Sequence, residues 1–391
     1  MKRAFIWGPL NFPHGSSSAN YVQHFADALI DLGYHVVILS DANKGELQKE
    51  DNWINAHNGK AEIQDILIRK DNKWIRYIDN NFLFTLRVVK KFKKMEKNHQ
   101  DIMISYTHDG ILSLIMNRIA KKANMKTYAC VVEMYPKEEY GHWLFSLKYW
   151  KEYINYKFAF PKYNCIFPIS SFIKQYLDRN NINNRCIPCM ANPFEYEYKE
   201  KIRTGKRVFI YPAMGKMKDS LSAILGSFNY LNAEEISHME FHITGVKEEK
   251  VREYISDWDT VKKSVVIHKW MEYDELISLY GKCDYMLLAR EVNQMTKANF
   301  PSKVPEVMCF GVVPIVSKVG DYTRYYLHDK ENSLVVEGCS AQLFAEAIRT
   351  AVYMPESELE RLSVAARKCA EDRFWYKNWE KTMKLVIEEN K

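Results

Sequence analysis

Eleven short apolar runs, each four to six residues long, set the narrowest limit on how this chain can fold. They are Ala4 to Trp7, His35 to Leu39, Ile63 to Ile68, Ile102 to Tyr106, Thr127 to Val132, Cys165 to Ile169, Val208 to Tyr211, Phe241 to Thr244, Val265 to His268, Tyr285 to Ala289 and Val312 to Val316. Runs this short and continuous, bounded by turn residues, read as strands buried on both faces, as parallel sheets require. Helical stretches separate several of them. Val22, Phe25, Ala26, Leu29 and Ile30 mark one helical face that ends near Gly33, so the first three elements form a βαβ unit. The pattern predicts an α/β protein of the doubly wound type. It occurs twice, on either side of a polar, extended stretch after Ala191, and the halves share a layout rather than residues.

A chain of 391 residues has room for two such domains. No run approaches the roughly 20 apolar residues of a spanning helix. Met1 to Pro9 is too short in its apolar part for a secretory signal and reads as a first strand, so the expected location is cytoplasmic. The eight cysteines lie mostly beside apolar residues, as core side chains do. Cys186 and Cys189 alone have metal or redox spacing, but one such pair inside Arg-Cys-Ile-Pro-Cys-Met reads as an edge strand rather than a zinc site.

The stretch Ala298 to Ser317 carries the strongest chemical signal. Ser302 stands where a helix N-cap belongs, Pro305 falls in the first turn, and Gly311 stops the helix ahead of the last apolar run. Free amides at such a helix start attract phosphate. Glu306, one turn in, should repel phosphate and instead accept hydrogen bonds from hydroxyls, as a carboxylate does on a ribose diol. Phosphate and ribose together mean a nucleotide; the alternative is an ordinary helix with a well-placed Glu.

Other loops follow strands in the same way. Gly8 to Ser18 joins the first run to its helix without a Gly-x-Gly-x-x-Gly fingerprint. Pro212 to Asp219 carries Lys216 and Lys218 beside a helix start, where a phosphate would gain both dipole and ammonium charge. Thr107-His108-Asp109 reads either as an acid–base pair or as a helix N-cap, and Glu133 ends another strand.

Two segments interleave basic and apolar residues. Asn81 to Asn98 places Phe82, Leu83, Leu86, Val89 and Phe92 near Lys90, Lys91, Lys93, Lys94 and Lys97. Trp143 to Lys162 mixes Trp143, Phe145, Trp150 and Tyr153 with Lys148, Lys151, Lys157 and Lys162. Each fits either a helix lying on an anionic membrane or a core-facing helix with a solvated basic face. A nucleic-acid module is not recognisable, so no nucleic-acid partner is expected.

Asn-Phe-Pro-Ser-Lys-Val-Pro-Glu, followed by Cys-Phe-Gly-Val-Val-Pro-Ile-Val-Ser and Val-Gly-Asp, resembles the donor-site signature of retaining GT-B glycosyltransferases of family four. That family's pattern has two glutamates separated by seven residues. Glu306 matches the second, which contacts ribose, while Ala298 stands where the sugar-contacting first would be. Lys303 belongs to a Phe-Pro-Ser/Thr-Lys variant of the pattern.

The resemblance implies two Rossmann-like domains facing a cleft: residues 1–195 on the acceptor side, with 374–391 crossing back onto them, and residues 196–373 on the donor side. It implies transfer of a sugar from a nucleotide diphosphate sugar to a saccharide acceptor, lipid-linked in bacterial surface polysaccharide assembly, with no metal or other cofactor. The donor contacts it implies are Gly15, Ser16, Lys216, Lys218, Arg290, Asn299, Phe300, Pro301, Ser302, Lys303 and Glu306. His108 and Glu133 fall at acceptor-side strand ends, and Lys218 is the residue expected to stabilise the departing diphosphate. An epimerase on the same fold would have to draw on His108, Asp109 and Glu133, and the missing first glutamate leaves a non-catalytic nucleotide-sugar-binding protein open.

Overall fold

The computed structural model describes residues 1–9, 12, 16–40, 47–65, 83–196, 198, 201, 205–215, 218–269 and 271–389. Gly15, Lys216 and residues 66–68 and 81–82 of the segments above lie outside the described residues.

The chain forms two compact units, Met1–Pro188 with Tyr376–Lys391, and Cys189–Trp375. Ala191 shows why the second unit starts early: its amide donates to the Phe374 carbonyl at 2.8 Å. Nearby, the Arg367 guanidinium lies over the rings of Phe194 and Tyr198.

The first unit contains β1 (Arg3–Trp7), β2 (His35–Ser40), β3 (Ala61–Asp65), β4 (Ile102–Ser105), β5 (Lys126–Val131) and β6 (Cys165–Pro168). They pair in parallel in the order β3-β2-β1-β4-β5-β6. The second contains β7 (Arg207–Pro212), β8 (Met239–Thr244), β9 (Val265–His268), β10 (Tyr285–Leu288), β11 (Val313–Ser317) and β12 (Leu334–Val336), in the order β12-β11-β10-β7-β8-β9. Both sheets therefore follow one scheme, in which the first and fourth strands of the unit are neighbours and the winding reverses between them.

β12 was not among the apolar runs because three residues at a sheet edge are too few to show a period. Cys186 to Cys189 is not a ladder strand. Asn184 forms an isolated bridge to Ile166, and the Ile187 amide reaches the Pro168 carbonyl. All eight cysteines are thiols, most of them buried.

Right-handed crossovers put the helices after β3, β4 and β5 on one face of the first sheet. These are Phe84–Lys94, Gly110–Lys122 and Leu147–Ile154, and each packs against the next. The helix Ser17–Asp31 packs instead with the terminal helix Lys377–Glu389. There Tyr376 donates to Asp31 at 3.3 Å, and Lys126 donates to the Ile387 carbonyl at 2.8 Å. In the second unit, Phe209, Phe241, Leu287 and Ile315 anchor a core that is closed to solvent.

Candidate functional site

In a doubly wound sheet, ligands bind beyond the carboxyl ends of the strands where the winding reverses. In the second unit this places the loops after β7 and β10 side by side, and the Ser220 amide ties them by donating to the Ala289 carbonyl at 2.8 Å. Arg290, only 5% exposed, sits at the junction. Its Nε donates to Asp219 Oδ1 at 2.9 Å, its Nη1 to Asn299 Oδ1 at 2.9 Å, and its backbone amide to Ser317 Oγ at 3.0 Å. Tyr211 donates to the other Asp219 oxygen at 3.3 Å. Burial and then the Asp219 charge hold the Tyr211 phenol well above its ordinary value.

Lys303 opens the six-residue helix Lys303–Met308 and joins this group. Burial holds its ammonium below the usual lysine value, while the attraction of Asp219 and Glu306 opposes that and the repulsion of Arg290 and Lys218 adds to it. Lys218, Arg290, Asp219 and Glu306 thus all lie within electrostatic reach of Lys303.

Other residues of the signature take structural roles. Phe300 is buried, with its ring edge-on to Tyr322, Tyr326 and Phe374. Pro301 is buried as well, and the Val304 amide donates to its carbonyl at 3.1 Å. Ser302 occupies the cap position, but its backbone is already helical and its hydroxyl makes no cap hydrogen bond. The first turn starts at Pro301 through that i to i+3 bond instead, which removes the need for a side-chain cap.

Gly311 ends the helix at φ +61°, and the Val312 amide turns back to the Val307 carbonyl at 3.2 Å. Glu306 is half-buried. After burial, its charge is the largest cause raising the Tyr273 and Tyr280 phenols, so its carboxylate lies in their neighbourhood.

The matching place in the first unit lies after β1 and β4. Ser16 caps the helix Ser17–Asp31, its Oγ accepting from the Ala19 amide at 3.2 Å. Asp109 caps Gly110–Lys122 by accepting from the Leu112 amide at 3.0 Å, and it pairs with Lys151 at 2.6 Å. The capping reading therefore holds for Asp109. His108 turns instead toward Glu152, with Nδ1 3.6 Å from a carboxylate that is itself 6% exposed. Tyr140 donates to that same oxygen at 2.5 Å.

At the end of β5, the Glu133 side chain accepts from Tyr135, and its carbonyl accepts from Tyr156 at 2.8 Å. The π-helical turn Asn155–Ala159 makes this possible. It aims Tyr156 at Glu133 and Asn155 at the Thr107 carbonyl, 2.9 Å away, linking both strand ends. Gly110 permits the close crossing, because a Cβ there would stand 2.1 Å from the Asn155 nitrogen.

Sequence reasoning missed Asp219 and Glu152. Glu152 had a signal, being the one acid in an otherwise basic, aromatic helix; Asp219 looked like any loop carboxylate. The sequence also holds one Asp-x-Asp spacing, Asp257-Trp258-Asp259. Asp257 caps a short helix by accepting from the Thr260 amide at 3.2 Å and hydroxyl at 2.7 Å, while Asp259 pairs with Lys262 at 2.6 Å. Among the described residues, no group of three or more His, Cys, Asp or Glu gathers as metal ligands do.

Residues 194–369 match the family described as Glycosyl transferases group 1. The whole chain is similar in fold to a glycosyltransferase from Rickettsia africae, at TM-score 0.67 and 14% identity, covering 100% of this chain and 98% of that one. It is similar to sucrose-phosphate synthase from Thermosynechococcus elongatus, at TM-score 0.72 and 14% identity over 100% and 99% of the two chains. It is also similar to Anabaena Alr3699/HepE, solved in complex with UDP and glucose, at TM-score 0.70 and 10% identity over 100% of both chains. No curated protein sequence matches the chain. Two parallel six-stranded sheets on this scheme are the GT-B architecture, and the chain, with a group 1 glycosyl transferase domain at residues 194–369, is a glycosyltransferase.

Proposed function

We propose that this enzyme moves a hexose or related sugar from a nucleoside diphosphate sugar to a saccharide hydroxyl, with retention at the anomeric carbon. The acceptor in this reading is a lipid-linked intermediate of capsule, O-antigen or exopolysaccharide, presented at the cytoplasmic face of a membrane. The observation that carries the proposal is the half-buried Lys303 ammonium among Asp219, Glu306, Arg290 and Lys218 at the reversal point of the second sheet. Displaced charges of this kind mark functional sites. A bound diphosphate would supply the negative charge this ammonium needs.

When the bond from the anomeric carbon to the diphosphate oxygen breaks, negative charge grows on that oxygen. Lys303 and Lys218, with Lys216 and the amides of Phe300, Pro301 and Ser302, would stabilise it electrostatically. Arg290 braces the site by holding Asp219 and Asn299, and Glu306 accepts from the ribose hydroxyls. On the acceptor side, His108 oriented by Glu152, together with Glu133, would hold the incoming hydroxyl.

Thermal melts of the full chain with nucleoside diphosphates and their sugar conjugates test this. A ligand at 100 times its Kd adds about 2.7 kcal/mol of stability. Glu306→Ala should weaken the preferred nucleotide about tenfold or more, since a hydrogen bond to a charged group contributes roughly 1.5–3 kcal/mol. Unchanged affinity in that variant removes the ribose role. Failure of every nucleoside diphosphate to raise the melting temperature removes the donor site, and a product inverted at the anomeric carbon removes retention.

A further inference from the structure

The helices Phe84–Lys94, Gly110–Lys122 and Leu147–Ile154 form one layer over the first sheet, and their outer surface has an unusual composition. Gly110–Lys122 buries Leu112, Met116 and Ala120 together with Ser113 and Asn117, and its outer face carries Ile111 and Ile115, 44% and 37% exposed, beside the exposed Arg118, Lys121 and Lys122. Apolar side chains and cations thus share its outer surface. On the flanking helices Leu86 is 64% exposed, and Trp150 and Tyr153 about 40%. Leu144 and Phe145, in the turn before the last helix, reach 58% and 91%. Apart from Met1 and Leu385, every strongly exposed large apolar side chain described in the first unit belongs to this layer or the segments joined to it.

Charge separates in the same way. The three helices hold ten Lys and Arg and one acid, Glu152, which is buried. That is a formal +9 against +7 for the whole chain, so everything else is net negative. Lys90, Lys93 and Lys94 lie on the outer stripe with Leu86, opposite the buried Phe84, Val88 and Phe92.

The aromatic rings form a continuous ladder, Trp143 to Tyr149, Tyr149 to Trp150, Trp150 to Tyr153 and Tyr153 to Phe158, with centroids 5.1–6.3 Å apart. Trp150 Nε1 already donates to the Leu144 carbonyl at 2.9 Å, so the indole can enter an apolar medium without stranding its N–H.

We infer that this layer is the surface by which the first unit docks on an anionic lipid bilayer, with Phe145 and the aromatic ladder entering the headgroup boundary and the lysines facing lipid phosphates. A second copy of this face is a poor occupant, because two surfaces of the same strong positive charge repel one another. A nucleic acid would satisfy the lysines and leave the exposed Ile and Leu side chains in water. The inference deepens the proposal of a membrane-presented acceptor and rests on it for its purpose, but its geometry belongs to the first unit alone.

Sedimentation of the full chain with vesicles of phosphatidylcholine alone, or mixed with phosphatidylglycerol, tests the surface directly. Wild type should pellet with the anionic vesicles at low salt and be released at high salt. Lys90→Gln, Lys93→Gln and Lys94→Gln combined should weaken the partition about a hundredfold, at about 1 kcal/mol for each lysine. Leu86→Ser with Phe145→Ser should weaken it about tenfold or more. Both variants should melt as wild type does and bind nucleotide as wild type does, because neither touches the core or the donor site.

Wild type left in the supernatant with both vesicles at low salt overturns the inference, as does equal binding to neutral and anionic vesicles. Self-association abolished by Phe145→Ser, without vesicle binding, assigns the face to a second copy; binding to an RNA duplex but not to vesicles assigns it to nucleic acid. Nucleotide binding intact with vesicle binding absent sinks this surface alone, and the reverse result sinks the donor reading alone.

Discussion

Replacing Arg290 with Met separates two roles this residue could have at the proposed donor site. Arg290 and Asp219 have side chains 5% and 7% exposed and meet at 2.9 Å, so Arg290→Met strands a carboxylate away from water. Breaking a buried pair from one side costs roughly 3–5 kcal/mol. Asp219 would keep Tyr211 at 3.3 Å and the field of Lys303, which places the loss near the lower end, about 3 kcal/mol. For a unit of this size that lowers the melting temperature by about 6–12 °C. Adding Asp219→Asn removes the stranded charge and should recover half of the loss or more.

Thermal and urea melts of wild type, single and double variants measure this, with affinity for the nucleoside diphosphate that best stabilises wild type read on the folded proteins. If Arg290 is a brace, the double variant regains stability and binds that nucleotide within about threefold of wild type. A single variant within about 0.5 kcal/mol of wild type, or a double variant less stable than the single, refutes the stranded-charge argument. Regained stability with nucleotide binding lost tenfold or more makes Arg290 a direct donor contact.

Lys303 gives a pH prediction with a definite sign. Burial holds its ammonium below the unfolded value, so between the two the unfolded chain carries a proton that the empty folded chain lacks, and stability rises with pH across that window. Donor affinity should fall across the same window, since the diphosphate needs the ammonium; Lys303→Met should remove both slopes, and equal slopes in variant and wild type would refute the assignment. Gly311→Ala tests the helix stop: at φ +61° the new Cβ would stand 2.6 Å from Ser363 Oγ and 3.0 Å from the Tyr198 ring. Strain and clash together predict a loss of about 2–4 kcal/mol in urea unfolding, and a loss below about 0.5 kcal/mol would show that the turn can rearrange.

The strands were readable because each needs only a few consecutive apolar residues to be buried on both faces, and β1, β7 and β11 carry that signal in four or five residues each. Gly311 and Pro305 were readable for the same local reason: backbone conformation is written in the residue itself. Partners far apart in sequence were not. Arg290 meets Asp219 across 71 positions and His108 meets Glu152 across 44, and no periodicity or spacing connects either pair. Ser302 shows the opposite error, a residue type that fits a cap while the backbone has already turned helical before it. Asp109 shows that two chemically suggestive neighbours can take different partners, since Asp109 caps its helix and pairs with Lys151 while His108 meets Glu152.

Burial decides what the same residue type does in the two units. Lys303 and Arg290 lie among carboxylates away from water, where low dielectric makes each charge count. Lys90, Lys93 and Lys94 lie in water beside Leu86, where each charge acts weakly and only their number and the adjacent apolar surface give a useful interaction. The helix Gly110–Lys122 links these scales. Inside, Asn117 donates to Thr127 at 3.2 Å between the helix and β5, beside the buried Leu112 and Met116, while outside Ile111 and Ile115 stand among the exposed Arg118, Lys121 and Lys122. Exposed apolar side chains gain nothing from water, and where several of them gather beside cations the patch has the composition of an interaction surface.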